Sequence, residues 1–400
     1  MRHNKGAVGM IALQIGLTLA IICNALFIIE QRLAFSERPS GVSDEADVFV
    51  IENQWRGHPS DLPGRVGTDL AALRSLPGVV DATVSSTYPL GGPIMGLGIT
   101  LHPDQPRSGT AVAAYLADQY TLPTLGLRLI AGRNFRPDEI TDQAQPGIGS
   151  GSKGLSGVIV SRASALKLDP SGNVIGRVIV LEPSLLTAPI IGVVARLQGA
   201  TPAPLAAFAG NSMLVPYRLV GPYAFYLVHS KPGQTAVVMR AAQRKLFQVS
   251  RARAIVRIQT LAEARRVVYS NDRGLALALG LVCAALLAVT AWGIIGLSSY
   301  WVTQRRRQIG IRRALGGTRL AIVRYFQTEN LLITVMGIVV GIGVAIGGNL
   351  WMVSRFALPR MDERYLLVGA AIVLVLGQLA VLWPALRAAS VPPAEATRTV

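Results

Sequence analysis

Cysteine is almost missing: 400 residues hold two, Cys23 and Cys283. Both fall in long apolar runs, so no disulfide framework holds the segment between them, which must fold on an ordinary hydrophobic core. Histidine is scarce too. His3, His58, His102 and His229 are scattered, match no HExxH zinc pattern and suggest no nucleophile, base and acid grouping; a Gly-x-Ser-x-Gly elbow is also lacking. None of the lysines (Lys5, Lys153, Lys167, Lys231, Lys245) follows a glycine, which excludes a phosphate loop ending in Gly-Lys-Ser/Thr within these residues. The expectation is a non-enzymatic chain, with no catalytic, cofactor-binding or metal-binding residues.

Charge is the next shortage. Only 15% of residues are charged while 51% are hydrophobic, and mean hydropathy is +0.43, more apolar than one soluble core requires. Four stretches lack Asp, Glu, Lys and Arg altogether: Gly6 to Ile29, Gly274 to Gln304, Asn330 to Ser354 and Tyr365 to Leu386. Each is long enough to cross about 30 Å of hydrocarbon at roughly 1.5 Å per residue. The alternative, buried helices of a soluble enzyme, does not account for four such runs. The first run follows Arg2 and Lys5 and is long for a signal-peptide core, so it reads as an uncleaved anchor.

What charge there is lies unevenly. Arg305, Arg306, Arg307, Arg312, Arg313, Arg319 and Arg324 crowd the link between the second and third runs, which places that link in the cytoplasm by the positive-inside rule. Both termini are then cytoplasmic and residues 30–272 lie outside. The net charge of +17 is dispersed, and its densest cluster adjoins a membrane span, so the lipid bilayer is the expected partner and nucleic acid is not. The few polar residues in the spans, such as Gln14, Asn24 and Gln378, are uncharged and mark no ion pathway.

The external segment predicts a strand at Asp47–Asn53, a helix at Thr68–Leu76 and a strand at Val79–Ser85. The same order returns as Ala224–His229, Thr235–Gln248 and Ala254–Gln259; the two units would pair into one split α+β sheet. Between them Gly157–Ser161, Arg177–Leu181 and Pro189–Val194 read as strands of an inserted β-rich lobe. Gly149, Gly151 and Gly154 have the spacing of a dinucleotide-binding turn, but a strand and not a helix follows, so a loop is expected. Leu261–Asp272 reads as a helix running almost unbroken into the second span.

Two features suggest contacts. Gly337 with Gly341, and Gly343 with Gly347, have the spacing that lets helix backbones approach closely, or they reflect the general glycine richness of membrane helices. The link from Thr303 to Thr318 interleaves Ile309, Ile311, Ala314 and Leu315 with arginines and stops at Gly316-Gly317. It is a short amphipathic helix, serving either as a topology determinant against headgroups or as a docking helix for a partner's groove.

Arg305–Thr318, RRRQIGIRRALGGT, closely resembles the coupling segment of MacB/FtsX-type ABC transporter permeases, with Gln308 where those proteins usually carry Glu. The stretch Leu125–Phe135, LGLRLIAGRNF, and the tail Pro384–Arg398, PALRAASVPPAEATR, are similar to that family's external core signature and closing motif. The resemblance implies four transmembrane helices with a large extracytoplasmic α+β domain, made of a split porter-like lobe (about 46–115 and 222–260) and an inserted sabre-like lobe (about 116–221). The flanking boundaries expected are 1–29 for the first helix, 273–304, 321–354 and 365–386 for the others, 305–320 for the coupling segment, 355–364 for a short external loop and 387–400 for the tail. It implies an inner-membrane location and separate ABC ATPase subunits carrying ATP and Mg. A second permease copy or a paralogue is a further expected partner, with an adaptor and outer-membrane duct as additional ones. Arg306, Gln308, Ile309, Ile311, Arg312, Arg313 and Leu315 would couple to the ATPase, and the four glycines would pack helices. The job implied is efflux of a drug, peptide, toxin or lipid-linked cargo, or else regulation of an external partner as in FtsX-like subunits.

Overall fold

A computed structural model describes residues 5–57, 61–101, 109–144, 154–182, 184–199, 208, 210–315, 318–356 and 360–390. The first helix is α1 (Lys5–Ser36). There follow β1 (Val48–Trp55), α2 (Leu62–Arg74), β2 (Val79–Ser85), β3 (Gly96–Thr100), β4 (Thr110–Leu116), α3 (Thr121–Leu125), β5 (Leu129–Gly132), β6 (Thr141–Gln143) and β7 (Val158–Ser161). Next come α4 (Arg162–Leu168), β8 (Val178–Glu182), β9 (Leu186–Val194), β10 (Ser212–Val215), β11 (Tyr217–Leu219), β12 (Tyr223–Ser230), α5 (Thr235–Val249) and β13 (Arg253–Thr260). The chain closes with α6 (Leu261–Val268), α7 (Ser270–Gln304), α8 (Arg306–Ala314), α9 (Arg319–Phe356) and α10 (Glu363–Ala389). Two compact units result: a helical unit of residues 1–37 and 271–400, and an α+β unit of 38–270.

In the helical unit, four helical stretches among the described residues are long and apolar enough to cross a membrane: Val8–Ser36, Leu261–Gln304, Arg319–Arg355 and Glu363–Ser390. Helix α1 is the most enclosed and packs against α9 and α10. Ile15, Leu19, Ala20 and Cys23 meet Ile294 of α7, Ala345 of α9 and Val373 of α10 in one buried cluster. The first helix outruns its uncharged stretch by seven residues, to Ser36, because Glu30 and Arg32 find opposite charges. Arg32 pairs with Asp272 of α7 at 2.6 Å and Glu30 with Arg364 of α10 at 2.8 Å.

In the α+β unit, β13, β1, β12 and β2 form an antiparallel sheet in that order. Early and late segments therefore interleave, as the split reading expects. The period-2 alternation of a strand sends Phe49 and Ile51 of β1 to a core with Val66, Leu70 and Leu73 of α2 and Val238, Ala242 and Leu246 of α5. Val48 and Val50 go to a second core with Leu122, Leu125, Leu227 and Leu261. Helix α2 starts at Leu62, six residues ahead of the predicted Thr68. The Asp61 carboxylate caps the Gly64 amide at 2.9 Å and Pro63 occupies the first turn, so capping overrides the poor helix propensity of Gly64 and Gly67.

The β-rich part is a closed sheet. Strands β9, β7, β10, β4, β3 and β8 follow one another, β8 returns to β9, and β5 adds to β9 as a seventh strand. Closure leaves few open edges, and Val112, Ala114, Val158, Val160, Ile179, Leu181, Ala188, Ile190, Met213 and Val215 fill the core. The ring takes in β3 and β4, so the break between the sheets falls between Ser85 and Gly96 and not near residue 116. The parallel pairing of β4 with β10 and its antiparallel pairing with β3 place it in the closed sheet. Of Gly149, Gly151 and Gly154, expected in a loop, only Gly154 lies among the described residues. Helix α6 ends at Val268, and Tyr269, fully buried with its hydroxyl 2.6 Å from Gln198 Nε2, separates it from α7. The helix expected to run almost unbroken into the second span does so, with Tyr269, anchored in the α+β core, as the one residue between α6 and α7.

Candidate functional site

The arginine-rich link folds as α8, held from two sides. Arg305, the one residue between α7 and α8, reaches Glu329 of α9 through both guanidinium nitrogens, at 2.9 and 3.3 Å, and the Tyr325 hydroxyl at 3.0 Å. Both members of the pair are largely withdrawn from solvent, and such bidentate, charge-assisted contacts fix direction as well as distance. Ile309, 7% exposed, packs with Val302, Ile322, Val323, Phe326, Ala385, Ala388 and Ala389. The Arg312 guanidinium lies 5.2 Å from the centre of the Tyr325 ring. A small cavity of about 40 Å³ remains between Arg305, Gln308, Ile309, Arg312, Ile322, Tyr325 and Phe326.

With that face committed, the helical period turns another face outward. Gln308, Ile311 and Leu315 follow at i, i+3 and i+7, with Arg312 beside them, and all four are exposed. Ile311 is 49% and Leu315 82% exposed, which is unusual for apolar residues of a segment otherwise dominated by arginine. The predicted coupling residues thus divide. Ile309 faces its own unit and anchors the helix, Gln308 and Arg312 are exposed but border the cavity beside Tyr325, and Ile311 and Leu315 are presented outward. The side chains of Arg306 and Arg313, and residues Gly316 and Gly317, lie outside the described ones. Glu329 and Tyr325 escaped the sequence reading, although an acid at the margin of the third apolar run is a signal that an arginine beside the second needs a partner.

Ala385, Ala388 and Ala389 come from the tail motif, so α10 brings its described half against α8; residues 391–398 lie outside the described ones. The LGLRLIAGRNF stretch has a backbone role. Gly126 ends α3 at φ 60°, Gly132 turns at φ 77° beside the Ile191 carbonyl, and Arg133 clamps Glu139.

The two glycine pairs behave differently. A Cβ on Gly337 would meet Ile15 Cγ2 at 2.6 Å, and one on Gly341 would meet the Gly16 carbonyl oxygen at 2.7 Å. These glycines let α9 cross α1 closely, with Gly16 as the partner that the sequence reading missed. Gly343 and Gly347 have open space where a Cβ would stand, so their expected packing role is not met within this chain: the contact with α1 continues through Ala345, and these two glycines lie off that face of α9. Polar groups inside the bundle pair with each other. Thr18 and Thr290 hydroxyls are 2.9 Å apart, and Asn330 donates to the Gly377 carbonyl at 2.9 Å.

In the α+β unit, Arg265 of α6 grips both Glu45 carboxylate oxygens at 2.6 Å and donates to the Arg38 carbonyl at 2.9 Å. The unit's first and last segments are thereby clamped together. Burial alone would raise the Glu45 pKa; hydrogen bonds from Arg265 and Ser40 and the Arg265 charge outweigh it and hold the carboxyl below the usual glutamate range. Asp118 goes the other way, raised by burial despite hydrogen bonds from Thr83, Thr121 and the Tyr120 amide.

Residues 280–393, including all of α8, match the family described as FtsX-like permease C-terminal. Over 231 residues, 56% of the chain, the sequence is 29% identical to the macrolide export ATP-binding/permease protein MacB of Chromobacterium violaceum, covering 33% of that protein. It is 31% identical over 121 residues, 30% of either chain, to the uncharacterized ABC transporter permease YknZ of Bacillus subtilis. With the pyoverdine export ATP-binding/permease protein PvdT of Pseudomonas fluorescens it shares 35% over 136 residues, 34% of this chain and 20% of that one. The matches therefore span a third or less of each of these relatives' length. Among solved structures, the extracellular domain of YknZ aligns with a TM-score of 0.32 and 16% identity over 52% of this chain and 100% of that one. The periplasmic region of MacB from Actinobacillus actinomycetemcomitans aligns at 0.35 and 11%, over 59% and 97%.

Proposed function

We propose that the chain, which matches the FtsX-like permease C-terminal family over residues 280–393 and is similar in sequence to MacB and YknZ, is a permease of the MacB/FtsX type and the membrane subunit of an ABC-type exporter. In this reading it relays ATP-driven motion of a separate ATPase, which holds ATP and Mg, to the α+β unit outside the inner membrane. Two copies, or this chain and a paralogue, would form the working complex, with both termini in the cytoplasm. The cargo class is a drug, peptide, toxin or lipid-linked molecule, collected outside the membrane and passed to an adaptor and an outer-membrane duct.

The single observation that carries the reading is the presented stripe of α8. An exposed Ile311 and Leu315 flanked by arginine, on a helix pinned by Arg305–Glu329 and Ile309, has the form of an amphipathic helix that fits a partner's groove. A partner shifts the conformational balance of the chain only by binding its states unequally, so the pinned underside of α8 would pass the difference on to α9 and α10.

The test is copurification of the chain with an ATPase encoded beside it. The wild type should retain the ATPase, and a chain carrying Ile311→Asp and Leu315→Asp should lose it while unfolding at an unchanged temperature. A wild type that retains no ATPase, or a double variant that retains it fully, would remove the proposal.

A further inference from the structure

At one end of the closed sheet, three neighbouring strands each have an arginine one or two residues beyond the strand. Leu129 opens β5, Val194 closes β9 and Ser161 closes β7, and these three residues form one row across the ladder, Leu129 opposite Val194 and Val194 opposite Ser161. One step beyond the row stand Arg128 and Arg162, and two steps beyond it Arg196. Adjacent strands lie about 4.8 Å apart, so the topology gathers three guanidinium groups at one sheet end spanning on the order of 10 Å.

They line a concavity of about 420 Å³ whose remaining walls are Pro39, Gly41, Val42, Ile130 and Ala195, within the usual size of a small-ligand site. Among the described residues, no carboxylate lines it. Six other arginines of the unit sit in ion pairs: Arg74 with Asp81, Arg133 with Glu139, Arg177 with Asp169, Arg218 with Asp142, Arg253 with Asp69 and Arg265 with Glu45. Arg128, Arg162 and Arg196 have no ion-pair partner among the described residues. The site is also firmly built. The Ala195 amide donates to the Arg128 carbonyl at 2.8 Å, the Gln198 amide to the Ser40 carbonyl at 2.8 Å, and Gly41, at φ 95°, lies against the Arg196 carbonyl.

Three like charges brought together without acids repel one another, and an anion between them reverses that cost. Guanidinium forks present paired donors that match phosphoryl oxygens, and three of them exceed what one carboxylate can accept. From this convergence we infer that the cavity bounded by Arg128, Arg162 and Arg196 is a binding site for a phosphoryl group. Val42 and Ile130 give it an apolar wall beside the charged one, which suits a phosphate attached to an apolar body. The site stands on the α+β unit alone and does not depend on how α8 is used. The phosphoryl group would come from a lipid headgroup or from a soluble phosphate.

The test is calorimetric titration of the full chain in a phosphate-free maltoside detergent, with inorganic pyrophosphate in one series and short-chain phosphatidic acid in the other. Saturable binding is expected in at least one series. Arg128→Gln, Arg162→Gln and Arg196→Gln should each weaken it about tenfold, the loss of one charge-assisted contact, and Arg240→Gln, on the exposed face of α5, should leave it unchanged. Pyrophosphate binding alone identifies a soluble source; tighter binding of phosphatidic acid identifies a headgroup. If one of the glutamine variants fails to fold, the lysine variant at that position, which keeps charge but loses the fork, takes its place with the same expectation of weakened binding. The inference is overturned if neither probe saturates, or if Arg240→Gln weakens binding as much as the other three.

Discussion

Asp69 and Arg253 stand entirely out of water, joined at 2.7 and 2.8 Å, with the Tyr226 hydroxyl donating to the same carboxylate at 2.7 Å. Such a pair is costly to break, because the remaining charge is left buried and alone. Asp69→Ala should destabilise the α+β unit by about 3–5 kcal/mol, seen as an early unfolding transition of the purified chain. Glu45 supplies a pH dependence with a definite sign. Its folded-state pKa is lowered, so its contribution is fully present above about pH 4.3, the unfolded value, and is lost as pH falls through the lowered folded value. Thermal unfolding between pH 7 and 3 should show a steeper acid loss for wild type than for Glu45→Gln. Asp118, whose raised pKa acts in the opposite direction, is common to both chains and cancels in the comparison. At this scale the sequence was least informative about direction: Ile309, Ile311 and Leu315 read alike as apolar residues among arginines, and only the packing against Phe326 and Ala385 separates the anchor from the two presented side chains.

Among the elements, the α1–α9 crossing is the most sharply testable. Gly341→Val would drive a branched side chain into the Gly16 carbonyl and Leu19, and overpacking of this kind costs about 1–3 kcal/mol. Gly347→Ala, with open space at its Cβ, should unfold in detergent at the wild-type temperature or slightly above, since alanine favours helix over glycine. Equal losses at both positions would contradict the crossing. The same contrast shows what spacing carries and what it omits. Gly337-x-x-x-Gly341 and Gly343-x-x-x-Gly347 obey one pattern, yet only the first meets a helix, because the pattern states that close approach is permitted and not that a neighbour is there. Uncharged runs marked all four apolar helices, and alternation marked β1, β2, β12 and β13 to within two residues. The closed sheet was harder: β3 and β4 are assigned by long-range pairing with β8 and β10, which no local pattern encodes, and the first turn of α2 was hidden by glycines that Asp61 and Pro63 overrule.

For the whole molecule, the scarcity of charge foretold the membrane unit and the repeated strand, helix, strand order foretold the split sheet. The organisation that emerges links the RRRQIGIRRALGGT and PALRAAS segments through one buried cluster under α8, with Ile311 and Leu315 left exposed. Coupling of this stripe to an ATPase, as proposed, is tested by ATP turnover of that ATPase in lipid, with the wild-type chain or with the Ile311→Asp, Leu315→Asp variant. Exposed positions tolerate such changes within about 0.5 kcal/mol, so folding should be unaffected. The response of turnover should fall by about tenfold or more in the variant, the loss of roughly 1.4 kcal/mol of coupling. An undiminished response, with the variant chain folded and present in equal amount, would contradict the proposed coupling.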